Sequence, residues 1–200
     1  MNLPLKIRLL LFALLLDLPL HAQTISKNAQ RSLISQRLAV AEQFIDAFYS
    51  FSAERLQPLL QHSDDSAKQI LRYQAWAKGG NYKVIHRAAC RAETEELILC
   101  DITVEDDLVL ALHTGFNVTD TFHLRFSAAH ITQLDTSSND QPIYYEAKEW
   151  VNQHLPKIAS GPCAPEANTA ELCAQAMKLG YQQFYAAKYA KPKHAANVAP

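Results

Sequence analysis

The chain has 200 residues, of which 48% are hydrophobic and 20% are charged, and its formal net charge at pH 7 is −1. This composition is typical of a globular protein that is long enough for one sizeable core. A nearly neutral chain has no basic field to attract nucleic acid and no polybasic patch for an anionic membrane surface, so neither partner is expected.

The first 22 residues have the pattern of a secretory signal. Lys6 and Arg8 precede a continuous apolar run over 9–16, and Leu20-His21-Ala22 ends in the small residue that a signal peptidase needs. The run is too short for a permanent span, so we favour a cleaved signal peptide over a retained membrane anchor. Cleavage would remove both cations and Asp17, lowering the net charge from −1 to −2. The sequence therefore predicts a periplasmic or secreted protein that is free of the membrane after processing.

Four cysteines follow the predicted signal: Cys90, Cys100, Cys163 and Cys173. An even number in an exported chain favours disulfides, and four cysteines allow three connectivities. Short sequence separation favours Cys90–Cys100 and Cys163–Cys173. A zinc site is the alternative, but the chain has no C-x-x-C pair. We therefore predict two disulfides, no metal and no cofactor.

Helical periodicity dominates the N-terminal part of the chain. After a lead-in over 23–32 that we expect to be flexible, apolar residues fall on one helical face between 33 and 49. Ser52 is placed to cap a second, short helix, and Ser63-Asp64-Asp65 to cap a third. Gly79-Gly80 is expected to end the third helix, since glycine tolerates the left-handed turn that closes a helix.

A period of two residues then predicts an antiparallel sheet, with strands at 82–90, 97–105, 121–127 and 130–135. If the first hairpin is centred near Glu95, Cys90 lies opposite Cys100 and His86 lies opposite Val104. That register places both apolar faces inward, and a slip of one residue would reverse every side chain.

The chain from Leu38 to Leu155 thus consists of three helices, a run of strands and a short helix that ends in Glu149-Trp150-Val151-Asn152-Gln153-His154-Leu155-Pro156. This order, and above all the run from Thr121 to the closing helix, resembles an exported bacterial member of the nuclear-transport-factor-2-like, or SnoaL-like, superfamily. The resemblance implies an α+β fold in which a curved antiparallel sheet forms a cone packed on N-terminal helices. It covers 33–156 and does not identify a substrate.

The chain continues past the point where that superfamily usually ends. Residues 157–190 are predicted to form a C-terminal helical extension pinned by the second disulfide, and 191–200 a disordered tail. The extension carries an apolar stripe at helical spacing, formed by Cys173, Met177, Tyr181, Phe184, Tyr185 and Tyr189. We favour docking of this helix on the domain over binding of a partner protein.

Candidate pocket residues lie on the predicted inward faces. His86 stands among apolar residues, as a general base or ligand contact or, the interpretation that we favour, as a core histidine with one hydrogen bond. Aromatic side chains with a polar tip suit an apolar ligand that must be oriented, although they are also typical of a core. The ligand-binding candidates are Tyr49, Trp76, Tyr82, His86, Phe122 and Tyr144.

Catalysis has limited support in the sequence. Ketosteroid isomerase, which belongs to the superfamily that the chain resembles, uses an aspartate base with a tyrosine and a protonated aspartate. Tyr49 matches the tyrosine, but no aspartate is placed securely inward, because Asp101 alternates outward, Asp135 ends its strand and Asp106-Asp107 belongs to a turn. No histidine spacing matches a metal motif. His86 is therefore the single catalytic candidate, and an enzyme is not favoured.

Three functions remain open on this basis. We favour an exported domain that binds a small apolar ligand in its cone. The alternatives are an interaction or assembly protein that uses the outer sheet face and the C-terminal helix, and a lyase or isomerase that uses His86. The outer face mixes charged with apolar residues, so it is either solvated or, as the resemblance implies, a homodimer interface; its charged members are Arg87, Asp101, Glu105, His123 and Arg125.

Overall fold

The structure, a computed structural model, describes residues 18–164 and 170–189. The predicted signal segment up to residue 17 and the predicted tail over 191–200 lie outside these residues. The elements in chain order are α1 Leu18–Phe48, α2 Ala53–Leu56, a 3-10 helix Gln57–Leu60, α3 Asp64–Gly79, β1 Lys83–Arg87, β2 Arg91–Ala92, β3 Leu97–Glu105, α4 Asp107–Leu110, β4 Val118–Ser127, β5 His130–Ser138, α5 Pro142–His154, α6 Pro156–Ala159 and α7 Ala170–Tyr189.

The strands form one antiparallel sheet of five strands that is not closed. The order across it is β1-β3-β4-β5, and the short strand β2 pairs with β3 beside β1. The predicted α+β class is therefore confirmed. Among the described residues, no helix is long and apolar enough to cross a membrane.

Helix α1 is longer than the sequence pattern indicated. The lead-in over 23–32, predicted to be flexible, is helical. No glycine or proline interrupts the chain from 20 to 48, so nothing local stops helix propagation there. Its C-terminal half packs on the sheet and buries Ala41, Phe44, Ile45 and Phe48.

The ends of α3 also differ from expectation. Ser63 makes no capping hydrogen bond; its hydroxyl donates instead to the carbonyl of Ile131 on β5 at 2.9 Å. At the other end the left-handed residue is Asn81, with φ 55°, and not Gly79-Gly80. Gly79 serves close packing, because a Cβ there would lie 2.1 Å from the backbone oxygen of Glu171 on α7.

A β-bulge changes the register of β1. Val84 pairs with Val104, but after the irregularity His86 pairs with Thr103 and Arg87 with Ile102. The predicted alignment of His86 with Val104 is therefore wrong. An extra residue in one strand turns the residues that follow to the opposite face of the sheet.

Arg87 consequently lies on the inward face, opposite Ile102, whereas the sequence predicted His86 for that face. Its guanidinium forms ion pairs with the carboxylates of Glu42 and Asp46 on α1, each at 2.5 Å. The Glu42 carboxylate also accepts a hydrogen bond from the backbone N–H of Cys90 at 2.6 Å. These contacts hold the edge of the sheet against α1. The prediction that Arg87 lies on the outer face is therefore wrong.

Both predicted disulfides are confirmed. Cys90 is bonded to Cys100, and Cys163 to Cys173. Beyond the first bridge Arg91 pairs with Leu99, which is the register that the sequence predicted for this end of the hairpin. The second bridge joins the turn after α6 to the first turn of α7.

The outer sheet face carries side-chain hydrogen bonds across the strands. The Oγ1 atoms of Thr103 and Thr119 lie 2.9 Å apart, and the hydroxyl of Thr121 donates to the Asp101 carboxylate at 2.7 Å. Asp101 also pairs with Arg91. Neighbouring polar groups therefore satisfy one another along this face, and a homodimer through it remains a prediction.

Two apolar clusters fill the interior. The first lies between α1, α3 and the sheet and includes Phe44, Phe48, Ile102, Phe122 and Leu124. The second joins α4, α5 and α7 and includes Leu108, Val151, Met177, Tyr181 and Phe184. Tyr144 packs against both clusters, so the start of α5 marks their junction.

Candidate ligand-binding site

A cavity of about 310 Å³ opens beside that junction, where α3, the start of β4, the end of β5 and α5 meet. Four aromatic side chains line it: Tyr73, Trp76, Tyr82 and Tyr144. Its polar lining includes Asp120, Thr136, Ser138, Asp140 and Lys148. An apolar wall with a few converging polar groups is the usual composition of a small-molecule site.

Local structure positions the aromatic wall. Tyr73 and Trp76 lie three residues apart on α3, so they project from the same helical face. Tyr82 follows the helix end, and its ring meets that of Tyr73 at 6.4 Å in an edge-on arrangement. Gly80 leaves room for this ring, because a Cβ there would lie 2.9 Å from Tyr82 Cε1.

Asp120 is the most buried ionisable group of the lining, with 2% of its surface exposed. It lies on β4 opposite Ile102 of β3 and Ser138 of β5, so its side chain shares the inward face with buried Ile102. The Tyr49 hydroxyl, just past the end of α1, lies 3.5 Å from Asp120 Oδ2, and the Tyr73 hydroxyl is near enough to the carboxylate to lower its pKa.

The surroundings of Asp120 raise its pKa toward neutral pH. Burial raises the pKa of Asp120 to about 6, the neighbouring Tyr73 hydroxyl opposes this rise, and the nearby charges of Asp140 and Asp106 add to it. Burial also raises the pKa of Tyr49 and of Tyr73 well above the usual value. Both tyrosines therefore keep their protons and act as hydrogen-bond donors.

Asp106 is a second buried carboxylate close to the site, but its role is structural. It is 2% exposed and accepts a hydrogen bond from the backbone N–H of Val109 at 2.8 Å, which caps α4. Burial raises its pKa to about 6, while the hydrogen bonds from the Val109 and Leu108 backbones oppose the rise. Its acceptor capacity is thus directed to the helix, away from a ligand.

The structure brings together half of the predicted ligand-binding residues. Trp76, Tyr82 and Tyr144 line the cavity, and Tyr49 contacts it through the Asp120 carboxylate. Phe122 does not reach it.

Phe122 is fully buried in the first cluster, with its ring 4.9 Å from Phe48 and 5.6 Å from Phe44. His86 is exposed on the edge strand β1 and pairs with Thr103, outside the lining of the cavity. The expectation that His86 faces the interior is therefore wrong.

Asp120 and Tyr73 are among the site residues that the sequence patterns did not single out. The strand was predicted to start at residue 121, but β4 begins at Val118. Continuing the alternation of Phe126, Leu124 and Phe122 two residues further back reaches Asp120. The signal was present in the sequence, and the error lay in the strand boundary.

Comparison of the chain with protein-family models, curated proteins and solved structures gives no match. In the part of the chain that the structure describes, no group of three or more histidine, cysteine, aspartate or glutamate side chains is arranged to hold a metal ion. The functional argument therefore depends on the chemistry of the cavity.

Proposed function

We propose that this protein is an exported ligand-binding domain of the nuclear-transport-factor-2-like superfamily that holds a small, partly apolar molecule between α3 and α5. The observation that carries the proposal is Asp120, a carboxyl group with 2% exposure that lines an aromatic-walled cavity. A buried carboxylate costs free energy unless it is paired, and a bound molecule with a hydrogen-bond donor would provide the partner.

The fold and the cysteines support the family and the compartment. Helices followed by an antiparallel sheet that packs on α1 are consistent with the cone expected of the superfamily. Two disulfides, Cys90–Cys100 and Cys163–Cys173, fit an oxidising compartment such as the periplasm. The disulfides agree with export under the predicted signal peptide.

The size and lining of the cavity limit the ligand. A volume of about 310 Å³ is near the lower end of the range of roughly 300–1,000 Å³ that is usual for ligand sites, so a molecule of one or two rings fits. Aromatic walls provide contact area, while polar groups converging from β4, β5 and the following loop fix its orientation.

A matched pair of tyrosine variants tests the site. Tyr144 lines the cavity, whereas Tyr189 on α7 is 52% exposed and is not part of the lining. Calorimetric titration with 1-naphthylmethanol should give an affinity roughly tenfold lower for Tyr144→Ala, as expected for losing a buried aromatic contact, and an unchanged affinity for Tyr189→Ala. Equal affinities in the two variants would contradict the assignment of the cavity.

A proton-transfer enzyme is the second candidate, with Asp120 in the place first given to His86. The pKa of about 6 for Asp120 suits a general base near neutral pH, and tyrosine hydroxyls lie beside it. Native mass spectrometry of protein from its own cell envelope would identify a retained molecule. Conversion of that molecule by the unaltered protein, and loss of conversion with retained binding in Asp120→Asn, would favour the enzyme over the binding domain.

A further inference from the structure

Among the described residues Asp120 has no cationic partner, in contrast to Asp101 and Asp107. Asp101 pairs with Arg91, and Asp107 pairs with Lys178 at 2.7 Å. No ion pair within residues 18–164 and 170–189 includes Asp120, although it is far more buried than Asp101. Fully buried carboxylates are rare unless they are paired, so this group has an unmet preference for a positive charge.

The aromatic side chains beside Asp120 also favour a positively charged ligand. The face of an aromatic ring carries negative electrostatic potential and attracts cations, most strongly in Trp and also in Tyr. Trp76 and three tyrosines line the cavity into which Asp120 opens. Aromatic faces combined with a carboxylate are the composition by which proteins recognise organic ammonium groups.

We propose that the ligand of this cavity is an organic cation, an amine or quaternary ammonium compound whose charged end lies against Asp120 and the rings of Trp76 and Tyr82. This inference rests on the proposed ligand-binding function and adds the charge of the ligand to it. A neutral ligand would use the same walls but would leave the buried carboxylate without a counter-charge.

Two further carboxylates strengthen the negative field. Asp140 lines the cavity, and Asp106 lies close enough that its charge acts on Asp120. Asp140 is held by hydrogen bonds from the hydroxyls of Ser138 at 2.5 Å and Tyr145 at 3.4 Å, both of them neutral donors. A bound cation would relieve the repulsion among these carboxylates, which water at the same position does less well.

Lys148 sets the orientation of the ligand. Its exposed side chain on α5 is the cationic member of the lining, whereas Asp120 is buried. The ammonium end of the ligand is therefore directed inward, and the end near Lys148 is neutral or anionic.

Three probes that share one ring system and differ in charge test the inference: 1-naphthylmethylammonium, 1-naphthylmethanol and 1-naphthoate. Calorimetry on the oxidised protein at pH 8 and low ionic strength keeps Asp120 ionised, since pH 8 is well above its pKa of about 6. The ammonium probe should bind roughly tenfold tighter than the alcohol, and the carboxylate probe should bind most weakly.

Variants identify which carboxylate causes this order of probe affinities. Asp120→Asn should remove most of the preference for ammonium, measured as the ratio of the ammonium and alcohol affinities in the same variant. Asp135→Asn, the same change at an exposed position of β5, should keep the full preference. Asp140→Asn, a second variant at the cavity, should reduce the preference by about twofold to threefold, and melting curves verify that each variant folds.

The possible failures are distinguishable. Equal binding of the ammonium and the alcohol would overturn the charge inference and leave the proposed function standing. A preference for ammonium that is as large in Asp120→Asn as in Asp135→Asn would also overturn it, because the cation would then bind elsewhere. If none of the three probes binds the folded protein, the proposed function fails together with the inference.

Discussion

The central strand β4 and the edge strand β1 show how neighbours determine the placement of a side chain. From Val118 to Arg125, β4 is paired with β3, and β5 pairs with it along most of this length without a break in register. Strand β1 has one neighbour and is interrupted by a bulge after Val84. A strand held from both sides cannot shift by one residue without losing two sets of hydrogen bonds, whereas an edge strand loses one.

The difference decides which titratable group reaches the interior. On β4 the inward positions Val118, Asp120 and Phe122 are all buried. On β1 the bulge places Arg87 inward, against α1, and leaves His86 exposed. The central strand therefore carries the candidate functional residue, and the edge strand carries an arginine with two structural ion pairs.

The largest effect is expected at the centre of β4. Phe122→Ala removes a fully buried ring that contacts Phe44 and Phe48, so the free energy of unfolding should fall by roughly 3–5 kcal/mol. Urea denaturation measures the loss. The matched control is Ile85→Ala on β1, where the side chain is 51% exposed and the loss should stay below about 0.5 kcal/mol. Similar losses in the two variants would remove the distinction between the strands.

Removing the disulfide beside the edge strand should cause the second largest loss of stability. Replacing Cys90 and Cys100 together by serine opens a bridge with a sequence separation of 10, and a chain-entropy estimate gives a loss of roughly 2–3 kcal/mol. Thermal melting of the double variant and of the unaltered protein measures it. An unchanged melting temperature would mean that the β1–β3 edge is held by Arg87 and the sheet hydrogen bonds alone.

Asp120→Asn should increase stability at pH 8 by about 1–2 kcal/mol. The pKa of Asp120 is raised from 3.8 to about 6 in the folded protein, so the cost of its buried charge is present above pH 6. The cost disappears as the pH falls from 6 toward 4, because the folded protein then takes up the proton more readily than the unfolded chain.

Urea denaturation of Asp120→Asn and Asp135→Asn between pH 4 and pH 8 checks this dependence. The groups that act on Asp120 are Tyr49, which follows α1, Tyr73 from α3, and the carboxylates Asp106 and Asp140. The gain in stability should appear only in Asp120→Asn and should fade toward pH 4. A gain that is constant with pH would show that the charge of Asp120 is not its cause.

The smallest effect is expected at His86. It is exposed on β1, so His86→Ala should change the free energy of unfolding by less than about 0.5 kcal/mol and should leave binding of the naphthyl probes unchanged. Calorimetry and denaturation on the same preparation measure both. A loss of binding without a loss of stability would return His86 to the candidate site.

The sequence predicts the parts of this protein that local or paired signals determine. The alternation of apolar and polar residues predicted the antiparallel sheet, and the spacing of Cys90 and Cys100 predicted their bridge. Ser52 caps α2 as expected, since its Oγ accepts a hydrogen bond from the backbone N–H of Arg55 at 3.3 Å. These features depend on residues close in sequence or on a hairpin partner.

The remaining features depend on contacts that a single sequence does not display. The bulge in β1 is fixed by tertiary contacts, including the ion pairs of Arg87 with Glu42 and Asp46, more than 40 residues away. The glycine at position 79 is required by the backbone of Glu171 on α7. Asp120 was missed for a simpler reason, because polar residues at the start of a strand resemble a loop when read alone.

The bridge between Cys163 and Cys173 has a consequence for proteolysis. It spans the connection from Ala164 to α7, so a protease that cuts between Ala164 and Ala170 leaves the two fragments covalently joined. Met177 and Phe184 would stay packed in the second cluster, and the nicked protein would migrate as one band on a denaturing gel until a reductant separated it into two. A cut at this connection therefore leaves α7 covalently attached in an oxidising compartment, whereas non-covalent packing alone would hold it where thiols are kept reduced.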